Sequence, residues 1–489
     1  MILHKTTIDF KLKNKTMAYK QKLTFGLIVA TRNIFNPKLA IEAREVLLEK
    51  IRNAGHDYII LPAEETPTGN IETFQDAQKC ARLFSKNRDL IDGIIVVLPN
   101  FGDELGVVNS INLAKLDVPV LVQACDDDND KVDVNSRRDA FCGKISVCNN
   151  LYQYGLPFTD TTYHTYPLES NFFDNDLEYF ASVCRIVGGL TNARIGAIGA
   201  RPGAFQTMRT SEKLLQVYGI TVLPVDLSEI FGAAGKFDNN SSELRKKVAE
   251  IKEYGKIPAR IREEMILKQA RFGLAVENWV AANQIDATAI QCWESVQKNY
   301  GCATCVTMSM MGEKFLPGAC EVDIAGVVSM YALLLASGTP PALLDWNNNF
   351  GTDRNMCVCT HCSNYPKSFM QGELEISTLD ILGTVLGHET TFGAVKGKVA
   401  PGPFSFFRIS TDDLTGTIKS YLGEGEFTDD PYGMDGGIAV SKVDNLQDLM
   451  KFICKNGFEH HVAMCRGNVA AAIEEAVDNY LGWDLYRHF

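Results

Sequence analysis

A chain of 489 residues exceeds what one hydrophobic core organises, so two to four domains are expected. Apolar residues make up 46% and charged residues 22%, the balance of a globular protein with packed interiors. The net charge of −12 argues against nucleic acid and anionic membranes as partners, because either would repel such a field; it suits a small ligand, uncharged or held through a metal.

Residues 1–22 form a basic arm with Lys5, Lys11, Lys13, Lys15, Lys20 and Lys22 but lack the apolar block and cleavage site of a signal peptide. They read as a frayed arm, or as an upstream start preceding Met17. From residue 23 apolar runs alternate with amphipathic stretches. LTFGLIVA (23–30) predicts a strand and 36–55 a helix stopped by Gly55; DYIILPA, a helix at 72–86, DGIIVVLPN, a helix near 103–116 and VPVLVQA (118–124) continue the cycle. Continuous Ile/Val/Leu strands between helices imply a parallel sheet covered on both faces.

A second cycle follows a loop-rich stretch near 156–170: a helix over 172–189, then strands ARIGAIGA (193–200), ITVLPVD (220–226) and IDATAIQCW (285–293) with helices between. ATCVTMSMM (303–311) is expected as a further strand and VDIAGVVSMYALLLASG (322–338) as a buried helix ending at Gly338. Beyond residue 340 short β-type runs punctuated by Gly and Pro suggest a small barrel, before a last helix at AAAIEEAVDNYLG. The expected fold is therefore α/β: two consecutive open parallel-sheet (Rossmann-like) domains, 23–165 and 166–340, and a β-rich, barrel-containing C-terminal domain, 341–489. No run of about 18 apolar residues predicts a membrane span.

GAIGARPGA (196–204) does not read G-x-G-x-x-G, and Gly235-Lys236 lacks the spacing of a phosphate loop, so nucleotide binding is not indicated. GAIGARPG is still a strand-to-helix turn at the ligand-binding edge of an open sheet, which makes Arg201 and Phe205 either substrate contacts or surface turn residues. No G-x-S-x-G elbow is present. The 14 cysteines, spread through the chain, suit reduced thiols in the cytoplasm. Cys302-x-x-Cys305 and Cys357-x-Cys359-x-His361-Cys362 resemble a zinc or iron–sulfur pattern, but they lie far apart in apolar strand-like runs and read as buried thiols.

What remains is Glu321, Asp345, His361 and the pair His460-His461. Glu321 precedes the apolar helix, where an acid complements the helix dipole. Asp345 closes the run PALL, His361 ends MCVCT, and His461 lies within FEHHVAMC. Singly, each serves as a cap, a turn residue or a core histidine. Together they put oxygen and nitrogen donors at sheet edges, a set that suits a borderline divalent ion such as Mn²⁺. In a strand through 458–465, Phe458, His460, Val462 and Met464 share an apolar face, and Glu459, His461, Ala463 and Cys465 the other.

The segment GACEVDIAGVVSMYALLLASGTPPALLDWNN resembles the centre of L-fucose isomerase-like proteins, in which a metal-binding Glu opens a helix and a metal-binding Asp follows 24 residues later, as Asp345 follows Glu321. QCWESVQKNYG, THCSNYPKS, APGPFSFFRIS with LGEGEF, and HHVAMCRGNVA are similar to other blocks of that family. In the related L-arabinose isomerases the second acid is usually Glu, and a His placed like His361 also binds metal. This chain mixes the two patterns. The resemblance implies a metal-dependent aldose–ketose isomerase for a small sugar of the L-fucose, L-arabinose or D-arabinose type, working through a cis-enediol. Glu321, Asp345 and His461 would hold Mn²⁺ (Mg²⁺ or Co²⁺ as substitutes), with Glu321 and Asp345 also the catalytic acid–base pair. His361 would be a fourth ligand, or would hold another ligand in place. Trp293, Trp346 and Asn347 are candidate substrate contacts, the two indoles having core packing as their other reading. A homo-oligomer, trimeric or hexameric, is also implied. Two rivals stay open: a non-catalytic sugar-binding or sensor protein of two α/β lobes, and an oxidoreductase using the cysteine clusters.

Overall fold

The structure is a computed structural model that describes residues 19–489. The basic arm expected over 1–22 lies, up to residue 18, outside the described residues; Lys20 reaches Asp92 at 2.6 Å. Among the described residues no helix is long and apolar enough to cross a membrane.

Five strands, β1 (Thr24–Val29), β2 (Asp57–Ile60), β3 (Gly93–Leu98), β4 (Val120–Ala124) and β5 (Thr159–Asp160), form a parallel sheet in the order β2-β1-β3-β4-β5. TFGLIV and GIIVVL are almost wholly buried, because helices cover both faces. A second parallel sheet has β6 (Arg194–Ile198), β7 (Thr221–Val225), β8 (Ala287–Ile290) and β9 (Gly318–Cys320) in the order β7-β6-β8-β9. All its strands run the same way, so the turns after β6, β8 and β9 open at one carboxyl edge.

The third sheet is mixed and nine-stranded: β10 (Ala342–Phe350), β11 (Asp353–His361), β12 (Met370–Thr378), β13 (Phe392–Val399), β14 (Gly402–Asp412), β15 (Thr417–Thr428), β16 (Gly437–Lys442), β17 (His461–Arg466) and β18 (Asp484–Arg487), ordered β12-β13-β16-β11-β10-β17-β14-β15-β18. It curls, so that β15 pairs again with β16 through Glu426–Thr428. The part expected as a small barrel takes the form of this curled sheet.

The helix Ile324–Ser337 is buried along its whole length. It packs on β6 and β8 on one side and on β14 and β17 on the other, which is why its sequence is apolar all round. Burial of each large side chain, Leu333 and Leu334 among them, contributes about 1.5–3 kcal/mol. It ends at Gly338, whose φ of 63° supplies the left-handed cap. The run 303–311 corrects the sequence reading. It is not a strand but the helix Cys305–Glu313, buried from Cys305 through Gly312. A short apolar run surrounded by protein has no polar face, so its periodicity cannot separate helix from strand.

Candidate metal centre

Glu321 is the first residue beyond β9, at the carboxyl edge of the second sheet. The chain turns there through two left-handed residues, Glu321 (φ 63°) and Val322 (φ 54°), before Asp323 caps the buried helix by accepting from Gly326 N at 2.8 Å. A β-branched residue at positive φ is strained, and the strain sits in the turn that aims Glu321. Asp345 comes from β10 and lies directly opposite His461 of β17 in the antiparallel register. Opposed residues of such a pair share a face, so the fold places these two side chains together. His361 is the last residue of β11, the strand on the other side of β10.

These side chains converge on His461 Nε2. Glu321 Oε2 lies 3.5 Å from it, Asp345 Oδ1 3.4 Å and His361 Nε2 3.1 Å, while His361 Nε2 and Asp345 Oδ1 are 3.7 Å apart. Two sets have ligand atoms within 4.8 Å of one another: Glu321, His361 and His461, and Asp345, His460 and His461. They share His461, and each contains one acid.

The hydrogen bonding of the cluster is incomplete in a way that fits a cation. Glu321 Oε2 and Asp345 Oδ1 are buried with no hydrogen-bond donor. His461 Nδ1 lies 2.8 Å from Asp323 Oδ2. Burial alone would raise the Asp323 carboxyl, but the Arg408 guanidinium and His461 outweigh it and hold the group well below the usual carboxylate range. An ionised Asp323 keeps the imidazole proton on Nδ1 and turns the Nε2 lone pair toward Glu321 and Asp345. A lone pair and two carboxylate oxygens then face one another, and positive charge is needed between them.

The titration behaviour says the same. Burial, reinforced by neighbouring carboxylates, pushes Glu321 up to about 7 and Asp345 up to about 6. Burial would lower His461, yet Asp323, Asp345 and Glu321 together raise it. A divalent ion bound by two carboxylates and imidazole nitrogen supplies the missing charge.

Other residues singled out in the sequence lie around this centre at varying remove. Arg201 and Phe205 follow β6 and Trp293 follows β8, at the carboxyl edge that also carries Glu321. Phe205 meets Trp293 edge-on at 5.5 Å, and Trp293 packs against a cluster that includes Cys305, as does Cys362, the residue after His361. Arg201 Nη1 donates to carbonyls of its own turn, at Pro202 and Phe205. Trp346 alternates away from Asp345: its indole donates to Tyr421 Oη at 3.1 Å and meets Phe406 edge-on at 5.6 Å, in the core of the curled sheet. The Asn347 amide oxygen accepts from Thr360 N at 2.5 Å, and its side chain also bonds Asp345.

His460 departs from the sequence reading. The face shared by Val462 and Met464 is buried in the core of the third sheet, but His460 precedes the strand and its side chain is 43% exposed, with Nε2 4.0 Å from Asp345 Oδ1. Strict alternation fails where the strand begins.

Sequence reasoning missed Asp323, Arg408 and Glu459, the charged groups behind His461. One signal existed: Arg408 interrupts the apolar run FSFFRIS, and a buried arginine requires buried acids.

Cys305 opens the helix Cys305–Glu313 and Cys302 lies in the segment before it, neither in a strand, and burial pushes both thiols far above their ordinary range. Among the described residues, the groupings of candidate ligand atoms contain no cysteine. Joint replacement Cys302→Ser and Cys305→Ser is expected to leave metal content, measured by atomic emission, unchanged. A stoichiometric loss of zinc or iron would bring the oxidoreductase reading forward.

Comparison with known proteins bears on the two ends of the chain. Residues 26–191 match the fucose/sulfoquinovose isomerase N-terminal domain and residues 359–488 the L-fucose isomerase C-terminal domain. Sulfoquinovose isomerase of Priestia aryabhattai is 25% identical over 60% of this chain and 64% of its own length; that of Alkalicoccus urumqiensis is 27% identical over 58% and 62%. The sulfoquinovose isomerase of Clostridium sp. (strain MSTE9) is 23% identical over 65% of this chain and 67% of its own. The chain thus spans less than two thirds of the length of the first two relatives. A periplasmic solute binding protein from Actinobacillus succinogenes with bound D-allose is 15% identical, covering 55% of this chain and 79% of that one with a TM-score of 0.16, too slight a likeness to bear on fold or ligand. Two domains of one family, matched in order on either side of the segment that carries Glu321 and Asp345, identify the chain as a member of the L-fucose isomerase-like family.

Proposed function

We propose that the chain is a metal-dependent aldose–ketose isomerase acting on a small sugar through a cis-enediol. The observation that carries the reading is the pair of buried, unpartnered carboxylate oxygens, Glu321 Oε2 and Asp345 Oδ1, flanking the Nε2 atom of His461. Glu321, Asp345 and His461 would hold the ion, with His361 as a fourth donor. Two carboxylates with imidazole suit Mn²⁺, with Mg²⁺ or Co²⁺ as substitutes. When bound, the ion supplies Lewis-acid stabilisation of the charge that develops on the sugar oxygens.

Glu321 and Asp345 do the proton work. They approach His461 from two different elements, a turn of the second sheet and a strand of the third, so one can take the proton from C2 and return it to C1 while the other passes the hydroxyl proton between O2 and O1. Arg201, Phe205, Trp293 and Asn347 would bind and orient the sugar. Trp346, turned into the core, would act by fixing the strand that carries Asp345. The relatives' name adds sulfoquinovose to L-fucose, L-arabinose and D-arabinose as candidate substrates. The family resemblance also supports a homo-oligomer.

The test is a panel of these four aldoses incubated with the full chain and Mn²⁺, with ketose measured. At least one is expected to isomerise. EDTA is expected to abolish turnover, with Mn²⁺ restoring it better than Mg²⁺. Full turnover in metal-free protein would remove the mechanism.

A further inference from the structure

Behind His461 runs a line of buried charges. Arg408 is fully buried in β14, between Phe407 and Ile409. Its guanidinium grips Asp323 with two N–H groups, Nη1 to Oδ2 at 2.5 Å and Nη2 to Oδ1 at 3.1 Å. From the other edge its Nε donates to Glu459 Oε2 at 3.1 Å, and the second Glu459 oxygen accepts from Ser410 Oγ at 2.8 Å. The buried helix is shaped around this pair. A Cβ on Gly326 would stand 2.3 Å from Asp323 Oδ2 and 2.8 Å from Arg408 Nη1.

Stability does not account for such a group. Buried ion pairs replaced by apolar side chains of similar volume often leave a protein equally or more stable. What the group does offer is rigidity in one direction. Asp323 Oδ2, held by Arg408, is the atom that faces His461 Nδ1 at 2.8 Å. A two-pronged guanidinium fixes the plane of a carboxylate, which a single contact does not. Glu459 in turn keeps Arg408 from turning.

We propose that Arg408, backed by Glu459, is a positioning residue for the metal site: it locks Asp323 so that His461 keeps its proton on Nδ1 and presents the Nε2 lone pair between Glu321 and Asp345. This rests on the metal-site reading above. Arg408 and Glu459 act only through Asp323 and His461.

The test is Mn²⁺ binding to the full-length apo protein by calorimetry, with thermal melting of the same samples. Arg408→Met is expected to weaken binding roughly 10–100-fold while apo melting remains cooperative, and Glu459→Gln to weaken it less. Arg408→Lys keeps the charge but not the fork, and is expected to recover only part of the affinity. In a His461→Ala background, Arg408→Met should change the residual affinity less than about twofold, because its route to the ion is gone. Unchanged affinity in folded Arg408→Met and Glu459→Gln, or an equal loss with His461 already absent, overturns the proposal. Should Arg408→Met not fold, Glu459→Gln alone decides by the same criteria. If His461→Ala by itself binds Mn²⁺ normally, the metal-site reading fails first, and the positioning role falls with it.

Discussion

Glu321→Gln and Asp345→Asn are each expected to lower turnover by at least about a thousandfold, equivalent to about 4 kcal/mol of transition-state stabilisation. Each substitution keeps the size of the side chain and removes both its charge and its capacity to take a proton, so metal binding and proton transfer fail together. The expected effect on the apo fold has the opposite sign. Glu321 is buried and Asp345 half-buried, each has a buried oxygen that no donor reaches, and burial and nearby carboxylates push both up, Asp345 acting on Glu321 and Asp323 on both. A neutral amide relieves that repulsion, so the apo melting temperature should stay level or rise. Turnover and bound Mn²⁺, measured on the same preparations, separate the two effects. Near-normal turnover in either variant would leave that acid as a structural residue only.

The two parallel sheets were legible because their strands are continuous apolar runs bounded by helices that carry a polar face. GIIVVL and VLVQA can be little else. The run 303–311 was not legible, for the converse reason: a helix buried on every side writes no period into its sequence. Glu321, Asp345 and His461 were singled out by their neighbours and by a family resemblance, and the antiparallel register of β10 with β17 explains why Asp345 and His461, more than a hundred positions apart, lie side by side. Trp346 carried two readings in the sequence, sugar contact and core packing; its indole bonds Tyr421 inside the curled sheet, because neighbours in a strand face opposite sides. Asp323 was hidden for a different reason. An aspartate before an apolar helix is fully explained as its cap, and nothing local reveals that the same carboxylate also receives an arginine from β14 and a histidine from β17.

The two adjacent histidines should part company on substitution. His461 is fully buried, bonded to Asp323 through Nδ1, and directed by Nε2 at both acids. His461→Ala removes a donor from the middle of the cluster and leaves Asp323 short of one partner, so bound Mn²⁺ and turnover are both expected to be lost. His460 was expected from the alternation of the strand to pack into an apolar face and to matter for stability. At 43% exposed and outside the strand, the imidazole does not sit in that apolar face, so its loss is expected to cost little stability. It stands instead at the rim of the centre, 4.0 Å from Asp345 Oδ1, where burial and the neighbouring His461 push its pKa down to about 4 and leave it neutral at pH 7. A neutral imidazole at the rim carries one ring N–H that can donate to a sugar hydroxyl. His460→Ala is therefore expected to keep its metal and its melting temperature and to show its effect in KM. Release of the metal by His460→Ala, with retention by His461→Ala, would mean that the wrong histidine has been placed on the ion.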